Sequence, residues 1–182
     1  LLDYLDRRGN SAKPMRAGQT IDLGGGVTLT ALWPVDNAMN GVNAGLVLKL
    51  RYAGRTVLFT GDVGEPAEQA LSRRLGGMSA DVLIAPHQGN SDASSADFIA
   101  AADPAIVLSS DATELTAKQL RFADAVENRP LLRTGQCGAI TITIHSDGAM
   151  SVESFLRIGQ NGSREFLAFA AGQRRADAHG GR

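Results

Sequence analysis

RTVLFTGDVGEPAEQALSRRLGGMSADVLIAPHQG, running from Arg55 to Gly89, decides how the rest of the chain is read. Val57-Leu58-Phe59 is an apolar strand and Thr60-Gly61-Asp62 is a corner. Pro66 suits the first turn of a helix, where its missing N–H leaves no bond unmade. Ala67, Ala70, Leu71 and Leu75 recur on one helical face, and Gly76-Gly77 ends the helix. Asp81 to Ala85 is a second strand, followed by Pro86-His87-Gln88-Gly89. The spacing predicts one β-α-β step, whose right-handed crossover sets parallel strands side by side. Asp62 and His87 then emerge at the carboxyl ends of their strands, where open α/β sheets build their sites.

A Gly-Asp after an apolar strand is commonly only a turn, and a lone histidine is commonly structural. The pairing of Asp62 with His87 across neighbouring strands favours a metal. A carboxylate such as Asp62 can bridge two divalent ions, and neutral imidazole is a common zinc or manganese ligand. Gly89, close behind His87, lets a ligand approach the backbone. The other chemistry-bearing residues read more simply. His145 ends the alternating strand Ile140 to Ile144 and faces solvent, and His179 lies in a polar tail. Ser91, Ser94 and Ser95 are caps, because no G-x-S-x-G elbow surrounds them. Gly24-Gly25-Gly26 is a hairpin turn and not a phosphate loop, since no Lys-Ser/Thr follows. Arg73-Arg74 is the wet face of a helix.

Working outward, residues 1–10 read as the end of a helix. Gln19 to Leu23 and Val27 to Trp33 form a hairpin, and Leu46 to Tyr52 pairs with Val57 to Thr60 as another. After His87, a helix follows Ser94, with Phe98, Ile99 and Ala102 inward. Ala105 to Ser109 is a strand. Thr116 and Gln119 form a capping-box pattern for a helix that buries Leu120, Ala123 and Val126. Leu131 to Thr134, Ala139 to Ile144 and Ser151 to Leu156 finish as strands. Residues 159–182 read as a disordered tail, with a short helix conceivable over Phe166 to Ala171.

At 182 residues with a net charge of −1, the chain suits one domain and carries no global basic field for nucleic acid. No apolar run approaches a membrane span, so this segment itself makes no membrane contact. The single cysteine, Cys137, excludes an internal disulfide and reads as a packed thiol. The runs Val57-Leu58-Phe59, Val82 to Ala85 and Ile106-Val107-Leu108 are continuously apolar, which implies strands covered on both faces. The helices cover one face and the early hairpin can cover part of the other, so a layer is expected to be missing.

These residues resemble the metallo-β-lactamase-like domain of ComEC-type DNA-internalisation (competence) proteins. That family reads as an apolar strand, T-G-D, a helix, then V-L-K-x-x-H-H-G-S, beside Thr60-Gly61-Asp62 and Val82 to Asn90 here. Asn43 to Leu48 resembles its approach strand, Asp103 to Ser109 its P-x-x-x-V-x-S strand, and Leu131 to Ile142 its closing hairpin. The match runs from about Gly18 to Leu156. The resemblance implies an α/β (α+β) fold, a metallo-β-lactamase-like αββα sandwich of which residues 1–158 are the C-terminal half. It implies that Asp62 and His87 are metal ligands and catalytic, with Asn43, Gln88 and Asn90 beside them. It also implies two zinc or manganese ions and hydrolysis by a metal-activated water, with a phosphodiester in nucleic acid as substrate.

The departures are specific. The family's H-x-H-x-D-H string does not occur in this sequence, the second histidine of H-H-G-S is Gln88, and the serine is Asn90. Catalytic zinc commonly takes about three protein ligands. Asp62 and His87 supply two, and Asp92 or Asp111 is a weak substitute. The chain is therefore expected to be inactive alone and to need an N-terminal half or a homodimer partner. By the resemblance, its parent would be a multi-spanning bacterial inner-membrane protein. Two alternatives stay open: a degenerate, non-catalytic domain with a structural or binding role in DNA uptake, and a small-phosphoester hydrolase of the same fold.

Overall fold

The computed structural model describes residues 7–9, 13–35, 45–75, 79–90, 96–112, 114–156 and 166–169. The strands are β1 (Thr20–Gly24), β2 (Val27–Trp33), β3 (Val47–Tyr52), β4 (Arg55–Phe59), β5 (Val82–Ile84), β6 (Ile106–Ser109), β7 (Leu131–Arg133), β8 (Ile140–Ile144), β9 (Met150–Ser154) and β10 (Phe166–Phe169). The helices are α1 (Glu65–Leu75), α2 (Ala96–Ala102), α3 (Ala117–Val126) and the single turn α4 (Thr134–Cys137). The architecture is mixed α/β.

Strands β1 to β7 form one seven-stranded sheet in chain order. β1 to β4 are joined by antiparallel hairpins, and β4 to β7 run parallel. Each parallel step carries one helix. The sheet grows in one direction, so crossovers of one hand place α1, α2 and α3 on the same face. Val63, Ala67 and Leu71 around α1, Phe98 and Ile99 of α2, and Phe122 and Val126 of α3 share one core with Leu58, Leu83 and Val107.

The other face of β4 to β7 is covered by the chain itself, which corrects the expectation of a missing layer there. β8, β9 and β10 form an antiparallel sheet. Met150 and Val152 of β9, with Ile140, Ile142 and Ile144 of β8, pack on Val57, Val82, Ile106, Leu108 and Leu132. The alternation Ile-Thr-Ile-Thr-Ile is the cause: one face is apolar for burial and the threonines of the other stay exposed. Cys137 is buried in this second core, as read from its sequence.

The early hairpin does not contribute to that cover. It extends the large sheet edgewise, leaving part of an apolar face open. Opposed residues in a ladder share a face, so the row Ile21, Leu29, Leu50, Val57 runs from the open end to the covered end. Ile21 is 43% exposed, Leu23 56% and Phe59 40%.

Two further expectations are corrected. Phe166–Phe169, read within a disordered tail or as a helix, is a strand paired with Met150 to Glu153. Four consecutive apolar residues carry no period that separates helix from strand, and the free edge of β9 supplies the partner. In α3, Leu120 is exposed and Ala123 half-buried, while Gln119 and Phe122 are buried with Val126. Its phase is set by what Gln119 and Phe122 touch, described below. The predicted helix over residues 1–10, the Ser94 cap, His179 and the rest of the tail lie outside the described residues.

At the amino ends of the parallel strands, Arg55 binds the layers together. Its Nη1 donates to Asp81 Oδ1 at 2.8 Å and its Nε to the Gly148 carbonyl at 2.6 Å. Asp81 Oδ2 accepts the Thr56 amide at 2.8 Å. Gly148, in the β8–β9 turn, has φ of +84°, and a Cβ there would stand 2.7 Å from the Ala53 carbonyl oxygen. Only glycine allows this close approach of turn and hairpin.

Candidate functional site

At the opposite, carboxyl edge, β4 ends in Thr60-Gly61-Asp62 and β5 in Pro86 to Gly89, as the spacing predicts. Two hydrogen bonds tie the corners together. Thr60 Oγ1 donates to the Ile84 carbonyl at 2.6 Å, and the His87 amide donates to the Gly61 carbonyl at 3.0 Å. Asp62 and His87 are therefore placed by backbone and not by loop wander. His87 Nδ1 lies 3.7 Å from Asp62 Oδ1, with the imidazole 32% and the carboxylate 73% exposed.

That separation is too long for a hydrogen bond and suits a shared ion. Zinc–nitrogen and zinc–oxygen bonds of about 2.0–2.2 Å at a tetrahedral angle put two donor atoms about 3.4 Å apart. A modestly wider angle gives the observed distance. The donor set, one carboxylate and one imidazole, fits zinc or manganese.

Pro86 to Gly89 is an unusual segment. His87 (φ 46°, ψ 32°) and Gln88 (φ 57°, ψ 33°) are both left-handed, and Gly89 follows at φ +69°. Left-handed backbone at a residue with a Cβ costs on the order of 1–2 kcal/mol, so the surroundings must hold it. Gly89 packs against the Phe122 ring, which a Cβ would meet at 2.8 Å. The Gln88 carbonyl accepts from Ser109 Oγ at 3.0 Å and from Gln119 Nε2 at 3.2 Å. Thr116 Oγ1 lies 2.7 Å from Asn90 Oδ1, and the Asn90 amide donates to the His87 carbonyl at 2.8 Å. The Gln88 side chain is exposed and its backbone does the anchoring.

Gln119 thus works twice. Its Oε1 accepts the Thr116 amide at 3.0 Å, and its own amide donates to Thr116 Oγ1 at 3.2 Å, closing the predicted capping box. Sequence reasoning found that pair as a helix start and missed its second use. The signal was present only as a polar residue at a position where helical phase calls for burial.

Asp111, weighed as a substitute ligand, belongs to another group. Both its oxygens are engaged, Oδ2 by Arg133 Nε at 2.7 Å and Oδ1 by the Gly135 amide at 3.3 Å, and its side chain is only 2% exposed. Asn43 and Asp92 lie outside the described residues. Among the described residues no group of three or more His, Cys, Asp or Glu side chains is placed to hold a metal. His145 is exposed beyond β8, on the opposite sheet from the pair. No helix among the described residues is long and apolar enough to cross a membrane.

No known family model matches the chain. It is similar to the uncharacterized protein YcaI of Escherichia coli (strain K12), with 27% identity over 129 residues. The matched region covers 68% of this chain and 17% of that protein, so the chain spans a small part of its relative's length.

Proposed function

We propose that this chain is part of a metal-dependent hydrolase domain of the metallo-β-lactamase type, similar to that of ComEC-like competence proteins, acting on phosphodiesters. One observation carries the reading. Asp62 and His87, from adjacent parallel strands, stand 3.7 Å apart at the carboxyl edge with no hydrogen bond between them. A zinc or manganese ion held there would supply Lewis-acid activation of water and charge neutralisation at phosphorus. The chain's own part is to present two ligands on a rigid edge and to leave them open to solvent. The remaining ligands would come from a further segment or a partner, because two protein ligands fall short of the usual three.

The phosphodiester substrate class rests on the resemblance of Thr60-Gly61-Asp62 and Val82 to Asn90 to the ComEC-type domain. A non-catalytic role in DNA uptake is favoured by a separate observation: Asp111, on the same edge, is committed to Arg133 and not to a metal.

Calorimetric titration of the chain with Zn²⁺ and with Mn²⁺ tests the proposal. Two ligands should hold one ion only weakly, and Asp62→Ala and His87→Ala should each weaken it about tenfold or more with thermal stability kept. Equal affinity in all three proteins would overturn the ligand assignment.

A further inference from the structure

We infer that Gln119, aided by Ser109, is a positioning residue for His87: its side-chain amide holds the Gln88 carbonyl and so keeps the left-handed turn that aims the imidazole at Asp62. The inference rests on the reading of Asp62 and His87 as metal ligands, and it concerns how one of them is held.

The Asn90 amide on the His87 carbonyl closes the turn locally, and the His87 amide ties it to Gly61, but neither bond holds the Gln88 carbonyl. His87 and Gln88 are both left-handed without being glycine, so the local chain favours leaving that conformation. Returning φ at Gln88 to negative values would swing everything beyond its Cα and carry the Gln88 carbonyl away. Two donors oppose that rotation from different elements, Ser109 Oγ at the end of β6 and Gln119 Nε2 in the first turn of α3. The Phe122 ring against Gly89 closes the third side. Freed of the donors, the backbone at His87 would relax and the imidazole would lose its 3.7 Å relation to Asp62.

The orientation of the Gln119 amide follows from its two neighbours. The Thr116 N–H needs an acceptor and the Gln88 carbonyl needs a donor, so Oε1 faces the first and Nε2 the second. This makes Gln119→Glu a clean probe. A carboxylate at this helix position keeps the capping box, where Glu serves as well as Gln, yet it turns an acceptor toward the Gln88 carbonyl. A purely structural role for Gln119 predicts little change. Clamping predicts a specific loss at His87.

The experiment compares wild type, Gln119→Glu and Gln119→Met, the last removing donor and acceptor at similar volume. In the metal-free chain, NMR amide–Hα couplings and ¹³C shifts report the backbone at His87 and Gln88. Calorimetry with Zn²⁺ reports affinity, and thermal melting reports the fold. Gln119→Glu should keep the capping box but melt below wild type, since a buried carboxylate then faces a carbonyl. In the folded protein it should lose the left-handed signature at His87 and Gln88 and bind Zn²⁺ about tenfold more weakly, as loss of a group supporting a ligand does. Gln119→Met should show the same losses with a lower melting temperature. A left-handed signature kept in both variants would overturn the inference whether or not zinc binds. Absence of zinc binding in wild type would instead mean that the pair needs ligands from elsewhere, and would leave the backbone result standing on its own.

Discussion

Lys49 places a cation where its neighbours across the ladder are Thr30 and Leu58, the latter deep in the helix-side core. Burial first, and then the nearby charge of Arg51, lower its pKa from the usual 10.5. The folded chain therefore releases this proton at lower pH than the unfolded chain. Between the two pKa values the unfolded state binds more protons, so this group's contribution to stability rises with pH there. Lys49→Met should raise stability at neutral pH by about 0.5 kcal/mol, the scale of a half-exposed site. The gain should shrink toward pH 10.5 and above. Chemical denaturation at neutral and alkaline pH measures it, and a gain that grows with pH would contradict the account. At this scale the placement of the candidate pair could be read from the sequence. Asp62 and His87 follow from residue type and strand-end placement. The left-handed turn does not, because nothing in Pro-His-Gln-Gly specifies positive φ at His87 and Gln88; that conformation is imposed from β6 and α3.

Elements were read well where a period was long and poorly where it was short. α1 shows its apolar stripe over eleven residues, and the structure ends it at Leu75. α3 is placed by its capping box, but its buried face is turned toward Gln119 and Phe122, because the Gln88 carbonyl supplies the partner that lets a polar side chain stay at a buried phase. β10 has four residues and no period at all. Between elements, the Arg55–Asp81 pair is a buried tie. Both side chains are almost fully buried and it joins the starts of β4 and β5. Removing one partner of such a pair leaves the other charge buried, which costs about 3–5 kcal/mol. Asp81→Ala should lower stability by that amount in urea unfolding, whereas Asp62→Ala, on the exposed edge, should change it by less than about 0.5 kcal/mol.

For the whole molecule, the continuous apolar strands implied two covered faces, and the covers came from different sources. Three helices supply one. The small sheet supplies the other, from the alternation in Ile140 to Ile144, whose apolar side meets the large sheet. Cover ends before the antiparallel end of the large sheet, where Ile21, Leu23 and Phe59 remain exposed on one face. Such a patch promotes association. The double variant Ile21→Lys, Phe59→Lys should reduce concentration-dependent light scattering while shifting stability by about 1 kcal/mol or less. Scattering unchanged by both charges would show that the patch is inert.

The seven strands of the large sheet pair in the order in which they are made, so nearly every ladder joins neighbours along the chain. The antiparallel ladders of β1 to β4 close the least chain and form soonest, and the parallel ladders of β4 to β7 follow as each crossover closes. The Arg55 bond to the Gly148 carbonyl is different, spanning 93 positions and depending on the small sheet's turn lying against the β3–β4 hairpin. It belongs late in folding. Gly148→Ala, which drives a methyl carbon toward the Ala53 carbonyl, should accordingly leave the refolding limb of a denaturant chevron in place and raise the unfolding limb, about tenfold for each 1.4 kcal/mol lost. The large sheet would then zip up on its own timetable, and the small sheet would act as the latch that sets how long the finished molecule stays shut.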